Sequence, residues 1–168
     1  MDNFSKNSKE NIRRILFAIL AAGMMGLIFW FSSQGAYDSS EQSISVSYRV
    51  ARIIRPGFKS LDAGEKEAFA ESIEAIIRKC AHFLEFLLLG MLLLGSWSAE
   101  KRKFHRNALL ALGTAALYAV SDEIHQSFVP GRSCEIRDMC IDTAGSLSGI
   151  LLAALLCWLA KKLAGLIR

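Results

Sequence analysis

The run ILFAILAAGMMGLIFWF, from Ile15 to Phe31, decides the fold class, because it carries no charged side chain. Its length of about 17 residues is near the lower limit for a helix that crosses a bilayer. Arg13 and Arg14 precede it, as basic residues precede the core of a signal peptide, but the apolar run is long for such a core. We therefore predict a retained membrane-spanning helix.

Three further apolar stretches follow along the chain, and the predicted spans lie at about 15–31, 80–97, 107–126 and 141–159. The third is short unless its helix continues through polar residues 121–126. Backbone polar groups in lipid need partners within their own segment, so each span should be helical. The sequence predicts an all-α membrane protein with four transmembrane helices. Residues 1–14 would form an N-terminal tail, 15–160 the membrane domain, and 161–168 a basic C-terminal tail.

Composition agrees with this class. Apolar residues make up 52% of the 168-residue chain, and the formal net charge is +4. The basic residues flank the apolar stretches and form no patch interleaved with aromatic residues, so we predict a membrane lipid partner and no nucleic-acid partner.

The distribution of Lys and Arg predicts the orientation in the membrane. Basic residues collect in the N-terminal tail, in the loop after the second span and in the C-terminal tail: Lys6, Lys9, Arg13, Arg14; Lys101, Arg102, Lys103, Arg106; Lys161, Lys162, Arg168. In a four-span chain these three regions lie on one side, which the positive-inside rule assigns to the cytoplasm. We therefore expect a cell-membrane protein with both termini cytoplasmic.

The long segment from 32 to 79 has apolar residues at helical spacing and is interrupted at Pro56 and Gly57. We predict two amphipathic helices in this extracytoplasmic segment, lying on the outer membrane surface or packing on the bundle. Asp62 and Glu65 form a candidate capping box at the start of the second helix. Elsewhere, the spacing of Cys134 and Cys140 leaves open whether they form a disulfide.

Ionisable residues gather where the second span begins, where the third ends and where the fourth begins. The three helix faces are Arg78, His82 and Glu85; Tyr118, Asp122 and His125; Asp138, Asp142, Gly145 and Gly149. In the four-span topology all three ends lie at the outer interface. We therefore predict that His82, Glu85, Asp122, His125 and Asp142 converge there, and that the glycines let another helix approach closely.

The loop between the third and fourth spans contains Pro130 and Gly131, which suit a type II turn in which Gly supplies a positive φ. We expect Arg132, directly after this turn, to lie over the polar cluster. Phe128 and Val129 could reach into the lipid.

Three stretches resemble the VanZ-like family: RKCAHFLEF (78–86), SDEIHQSFVPGR (121–132) and DMCIDTAG (138–145). The residues that match the family pattern are Lys79, His82 and Glu85; Asp122, Glu123, His125, Gln126, Pro130, Gly131 and Arg132; Asp138, Asp142 and Gly145. Ser32 to Gln34 is also similar, whereas Asp142-Thr143 departs mildly from a region that often carries Asn. The family takes its name from a bacterial protein that gives resistance to the glycopeptide teicoplanin. The resemblance implies a bacterial cell-envelope setting and teicoplanin resistance, and no particular reaction.

Three functions fit the polar cluster. In the first, the site binds or processes an anionic envelope lipid or lipid-linked precursor. Lys79, Arg132 and Arg137 would bind the anion, and the residues for proton transfer would be His82, Glu85, Asp122, Glu123 and His125, supported by Gln126, Asp138 and Asp142. In the second, these nitrogen and oxygen donors hold zinc or magnesium, although their spacing matches no strong metal motif. In the third, the protein is a non-enzymatic interaction or transport-accessory subunit, and the cluster is structural. The sequence leaves catalysis, cofactor and oligomeric state open.

Overall fold

A computed structural model describes residues 2–98 and 103–166, and its regular structure is helical throughout. The helices are α1 (Asp2–Ser32), α2 (Ala36–Ile54), α3 (Ala63–Trp97), α4 (Phe104–Gln126) and α5 (Ile136–Leu166), with a short 3-10 turn at Phe58–Ser60. No strand occurs among the described residues, which confirms the all-α class. The predicted N-terminal tail is helical from Asp2 and continuous with α1.

Three helices are long and apolar enough to cross a membrane, within the stretches Asn7–Ser32, Ala63–Trp97 and Ile136–Gly165. They lie in α1, α3 and α5, and many of their large apolar side chains are exposed, as lipid-facing residues would be. Helix α4 does not meet the same apolar criterion, so three candidate spans stand among the described residues instead of the four predicted.

Helices α3 and α5 are in close backbone contact. A Cβ atom on Gly145 would overlap the carbonyl oxygen of Phe83, and one on Gly149 would overlap that of Leu87. Both contacts advance by four residues along each helix, so α3 and α5 run parallel at a fixed register. The glycine stripe in α5 therefore allows a close approach, as predicted.

Helix α4 packs its small side chains inward, with Ala111, Ala115 and Ala119 fully buried. Its polar contacts tie it to two neighbours: Trp97 Nε1 donates to Thr114 Oγ1 at 3.2 Å, and the Tyr118 hydroxyl donates to the carbonyl of Met25 at 2.6 Å. Alanine at every fourth position makes a narrow inner face, which lets neighbouring helices pack closely around α4.

The helix predicted to begin at the capping box does not end before the second span. Both are parts of the 35-residue helix α3, so the prediction of a separate second amphipathic helix was wrong. The capping box itself is confirmed, since Asp62 and Glu65 exchange side-chain-to-backbone hydrogen bonds. The chain between Glu65 and Cys80 contains no Pro or Gly to end the helix, and only its composition changes.

Helix α2 lies against the first half of α3, with Ser47 and Ala51 buried and Ser40 Oγ donating to Glu74 at 3.4 Å. It ends at Ile54, just before the predicted break at Pro56. The first amphipathic helix therefore exists and packs on α3, one of the two placements expected for it.

Contacts between helix ends define the two ends of the bundle. Arg14 Nε donates to the carbonyl of Ser96 at 3.2 Å, so the first half of α1 lies beside the end of α3. At the opposite end the hydroxyl of Ser32 donates to Asp122 at 2.8 Å. We call this opposite end the polar end.

The turn between α4 and α5 has the expected geometry. Gly131 has a φ of 76°, and Arg132 N donates to the carbonyl of Val129 at 3.1 Å. Pro130 accepts from Ala36 N at 3.2 Å, which fixes the turn against the start of α2. Phe128 is 82% exposed, but Val129 is 8% exposed and packs inward, so the expectation that both could face lipid was wrong for Val129. All four cysteines, including Cys134 and Cys140, are free.

Candidate functional site

Three side chains from three helices meet at the polar end. His82 of α3, Asp122 of α4 and Asp142 of α5 each place one potential ligand atom so that all three atoms lie within 4.8 Å of one another. Asp122 is 2% exposed and Asp142 is 1% exposed. We call these three residues the buried cluster. Its position depends on the α3–α5 contact, because Phe83 and Gly145 each lie within one turn of a cluster residue.

Much of the hydrogen-bonding capacity of the buried cluster is unused. Within the described part of the chain, both oxygens of Asp142, Oδ1 of Asp122 and Nδ1 of His82 have no hydrogen-bond partner. Glu85 Oε2 lies 3.8 Å from Nδ1 of His82, within ion-pair range but too far for a hydrogen bond. Buried polar atoms without partners are uncommon in folded proteins, and these four belong to three residues whose potential ligand atoms lie within 4.8 Å of one another.

The second oxygen of Asp122 is held in place. Oδ2 accepts from the hydroxyl of Ser32 at 2.8 Å and from the amide of Gln126 at 2.9 Å. The Gln126 carbonyl in turn accepts from a terminal nitrogen of Arg132 at 3.2 Å. A chain of hydrogen bonds therefore joins the loop arginine to the buried cluster through Gln126, and it fixes the orientation of the Asp122 carboxylate.

Two neighbouring depressions open beside the buried cluster and share Arg78, His82 and Arg132. The first, which we call the polar cleft, has a volume of about 340 Å³ and is lined mainly by charged and polar residues. Its charged residues are Arg78, Lys79, Arg132, Arg137, Glu135 and Asp138. The second, which we call the side groove, measures about 220 Å³ and lies against α2. Its apolar wall is formed by Phe31, Val46, Ile77 and Ala81.

Ion pairs occupy the edge of the polar cleft. Lys79 Nζ is hydrogen-bonded to Asp138 and lies 3.8 Å from Glu135 Oε2. We call Lys79, Glu135 and Asp138 the rim. Arg78 pairs with Glu74 at 3.6 Å on its own helix. Glu135 and Asp138 therefore neutralise Lys79. The other basic residues of the cleft, Arg78, Arg132 and Arg137, form no ion pair with either of these acids.

Arg132 is half-buried and donates to two uncharged groups. Nε donates to the carbonyl of Gln34 at 3.0 Å, and a terminal nitrogen donates to Gln126. Among the described residues it forms no ion pair with a carboxylate. Burial lowers the pKa of Arg132, and the positive charge of Arg78 acts in the same direction.

Two predicted site residues have other surroundings. Glu123 is buried, and its Oε2 accepts from the backbone N–H of Glu135 at 2.8 Å, so it binds the chain just before α5. His125 stacks on Phe29 of α1 with a ring-centroid distance of 4.3 Å, and its Nδ1 is buried without a partner. The structure therefore groups His82, Asp122 and Asp142 closely, with Glu85 beside His82, and places Glu123 and His125 on other sides of α4.

Three residues of the site had no role assigned from the sequence, although Arg78 was placed on the same helix face as His82. Ser32 is fully buried and donates to Asp122, while Gln34 offers its carbonyl to Arg132. Arg78 lines both depressions. For Ser32 and Gln34 the available signal was the Ser-Ser-Gln sequence after the first span, which carries no chemistry specific enough to place it in a site.

Apolar helices long enough to cross a bilayer, with a buried ionisable cluster at one end, define a helical membrane protein with a polar site between its helix ends. A model of the VanZ/LLP1 family matches residues 17–157. The chain belongs to the VanZ/LLP1 family, and the resemblance seen in its sequence is confirmed. No curated protein and no solved structure matches it significantly.

Proposed function

We propose that this protein crosses the bacterial cell membrane four times, with both termini in the cytoplasm, and binds an anionic envelope lipid at the outer end. The ligand would be a phosphate-bearing lipid or a lipid-linked precursor of the cell envelope. The observation that carries the proposal is Arg132, a half-buried cation without a carboxylate partner among the described residues, in a cleft with Arg78 and Arg137.

The fourth span is supported by the course of α4. Six residues separate its start from the end of α3 at Trp97, and Asp122 returns to the level of His82 near the other end. Its 23 residues extend about 35 Å, more than the hydrocarbon core of a bilayer. Helix α4 lies beside α3 between the Trp97–Thr114 hydrogen bond and the buried cluster, so it crosses the bilayer wherever that part of α3 does. Its composition is less apolar because its inner face carries alanine and its last turns carry the site.

The orientation is supported by the basic residues at the end opposite the site. The first half of α1 and the end of α3 lie together there, at Arg14 and Ser96. Lys161 and Lys162 follow the apolar part of α5. The positive-inside rule assigns this end to the cytoplasm and therefore the polar end to the outer face.

An anionic group is the ligand that suits Arg132. A guanidinium has five N–H donors, and the two hydrogen bonds to Gln34 and Gln126 leave three. The planar arrangement of these donors matches phosphate in two-point contact. The alternative, that Arg132 only neutralises Asp122 or Asp138, is disfavoured because it reaches Asp122 only through Gln126, while Asp138 pairs with Lys79.

The pair of depressions suits an amphiphile. A charged headgroup would occupy the polar cleft, and the first part of its chain would contact the apolar wall of the side groove. Arg78, His82 and Arg132 lie at the boundary between the two. A soluble anion would use the polar cleft alone, so the side groove favours a lipid.

The binding test compares two ligands that differ by one group. Full-length protein in lipid nanodiscs is titrated with a polyprenyl phosphate and with the matching polyprenol. We expect at least tenfold tighter binding of the phosphate, and a loss of about tenfold in Arg132→Lys, since charge alone does not replace two-point contact. Arg52→Lys, on the exposed face of α2, is the control and should bind as the native protein does. Equal affinity for both ligands, or full binding by Arg132→Lys, would contradict the proposal.

The cellular test concerns teicoplanin. A susceptible strain expressing the protein should become less susceptible, and alanine at His82, Glu85, Asp122, His125 or Arg132 should remove part or all of that effect at equal protein levels. If none of the five substitutions changes an observed resistance, the remaining explanation is an interaction or transport-accessory subunit whose polar cluster is structural.

A further inference from the structure

We propose that His82, Asp122 and Asp142 together bind one divalent transition-metal ion, zinc or manganese. This inference goes beyond the anion-binding function and does not depend on it. It concerns the interior of the polar end, whereas Arg132 lies in the cleft above.

The first argument is charge. Asp122 and Asp142 are almost fully buried, and their nearest oxygens are within 4.8 Å of each other. Across the described residues neither forms an ion pair with Lys or Arg, and the nearby Lys79 is paired with Asp138. Two like charges this close in a dry interior repel strongly, and each loses its hydration. A divalent cation would bring the pair to neutrality.

The second argument is the set of unpartnered atoms. A proton shared between the two aspartates would satisfy at most one oxygen of each, and it would leave the second oxygen of Asp142 without a partner. A metal ion accepts lone pairs from all three residues at once. Three unpartnered carboxylate oxygens beside the His82 ring therefore fit a cation better than they fit a hydrogen-bond network.

The third argument is the chemistry of the donors. Calcium and magnesium prefer oxygen ligands, whereas imidazole together with carboxylates suits zinc, and the carboxylates also suit manganese. Three protein ligands leave a coordination position open, as at zinc sites that bind a further small ligand. Since His82 lines both depressions, that position would be reached from the cleft.

The surroundings of the ligands are built to orient them. Ser32 and Gln126 hold Oδ2 of Asp122 and leave Oδ1 free. Glu85 lies near Nδ1 of His82, so with Nε2 as the metal ligand Glu85 would orient the ring. Metal ligands in proteins are held by such outer partners in the same way.

The test measures metal in the full-length protein purified in detergent without chelator. We expect about one equivalent of zinc or manganese per chain by elemental analysis, removal by chelator, and recovery when either metal alone is added back. Asp142→Asn should weaken metal binding by at least about tenfold, the smaller of the losses known for partners of metal ligands. Asp138→Asn, the same substitution one turn earlier on α5, should keep the metal. Absence of bound metal together with no binding on titration, or equal binding by Asp142→Asn, would overturn the proposal.

A second variant covers the case in which Asp142→Asn fails to fold. His82→Cys replaces one ligand by another, so it should still bind the metal, and cobalt substitution should add a sulfur-to-cobalt charge-transfer band absent from the native protein. A folded, cobalt-loaded His82→Cys protein without that band would exclude His82 as a ligand and overturn the proposal. Arg132→Lys should keep the metal while losing phosphate binding, so failure of one proposal is distinguishable from failure of the other.

Discussion

The rim and the buried cluster place an aspartate of the same helix in opposite circumstances, one turn apart. Asp138, in the rim, is one-third exposed and bonded to Lys79. Asp142, in the buried cluster, is 1% exposed, and neither of its oxygens has a partner among the described residues. The described part of the chain therefore supplies a cation to Asp138, which water could also solvate, and supplies none to Asp142, which water does not reach.

The difference separates two uses of charge. An exposed ion pair contributes little to stability, because each partner is already well solvated. A buried carboxylate without a partner costs free energy, and a cation bound from outside the chain would relieve that cost. The rim therefore shapes the entrance, and the buried cluster is where a bound cation would have its largest effect.

The largest effect should come from disrupting the α3–α5 contact, because both the rim and the buried cluster depend on the positions of these two helices. Gly149→Ala places a methyl group on the Leu87 carbonyl, which must separate α3 from α5. We expect a loss of more than about 3 kcal/mol or failure to accumulate, since overpacking typically costs 1–3 kcal/mol and backbone cannot rotate away. Thermal unfolding and membrane yield measure it.

Its control is Gly113→Ala on α4, where a Cβ would meet nothing within 4 Å. That change should be neutral or stabilising by up to about 1 kcal/mol, because alanine favours helix. Equal behaviour of the two variants would show that the α3–α5 contact is looser than described.

Next in size is the response of the buried cluster to metal. Zinc at one hundred times its dissociation constant should stabilise the native protein by about 2.7 kcal/mol. The same zinc concentration should stabilise Asp142→Asn by about 1.4 kcal/mol or less, because the loss of a charged ligand weakens its affinity at least tenfold. After chelation the order should reverse, with Asp142→Asn the more stable protein, since one of two repelling charges is gone. A thermal shift assay compares the melting temperatures of the two proteins with zinc and with chelator. If the native protein is the more stable of the two in both conditions, the two aspartates do not repel each other as proposed.

A smaller effect should follow from the hydroxyl that positions Asp122. Ser32→Ala removes a buried hydrogen bond to a carboxylate and should cost about 1.5–3 kcal/mol. Ser33→Ala is the matched control, because its hydroxyl is exposed and bonds only within α1, and it should have little effect. Denaturation of both variants in the same detergent gives the comparison, and similar losses would argue against a special role for Ser32.

The smallest effect belongs to the rim. Asp138→Asn should change stability by less than about 1 kcal/mol, as exposed ion pairs generally do. The change should shrink further at high salt, because solvent ions screen the pair. A loss as large as that of Ser32→Ala would mean that rim and buried cluster are not energetically distinct.

The sequence predicts correctly those site residues whose positions follow from helix geometry alone. Three helix ends with polar residues must meet if the helices alternate in direction, and His82 and Asp142 follow from that. On α4 the prediction was too broad. Glu123 lies 100° around α4 from Asp122, and His125 lies 60° from Asp122 on the other side, where it stacks on Phe29, so Asp122 alone enters the buried cluster.

Other features could not be read from the chain. The end of a helix needs a breaker, and a change from polar to apolar composition is not one, which is why α3 was divided into two helices. The contribution of Ser32 depends on where α1 ends relative to α4, a tertiary relation that no local pattern encodes. Whether Arg132 forms an ion pair likewise depends on which carboxylates lie near it in the fold, and Asp138 pairs with Lys79 instead.

The glycine contact between α3 and α5 has a consequence for bilayers of different thickness. A helix adapts to a change in thickness by tilting, by kinking or by deforming the bilayer around it, and two neighbouring helices that tilt separately must slide along each other. Parallel helices that touch through backbone atoms at Gly145 and Gly149 have no long side chains to re-pack, so sliding by less than a full turn meets a steric barrier. The two helices should tilt together as one unit, and the distance between His82 and Asp142 should stay the same in thin and thick membranes.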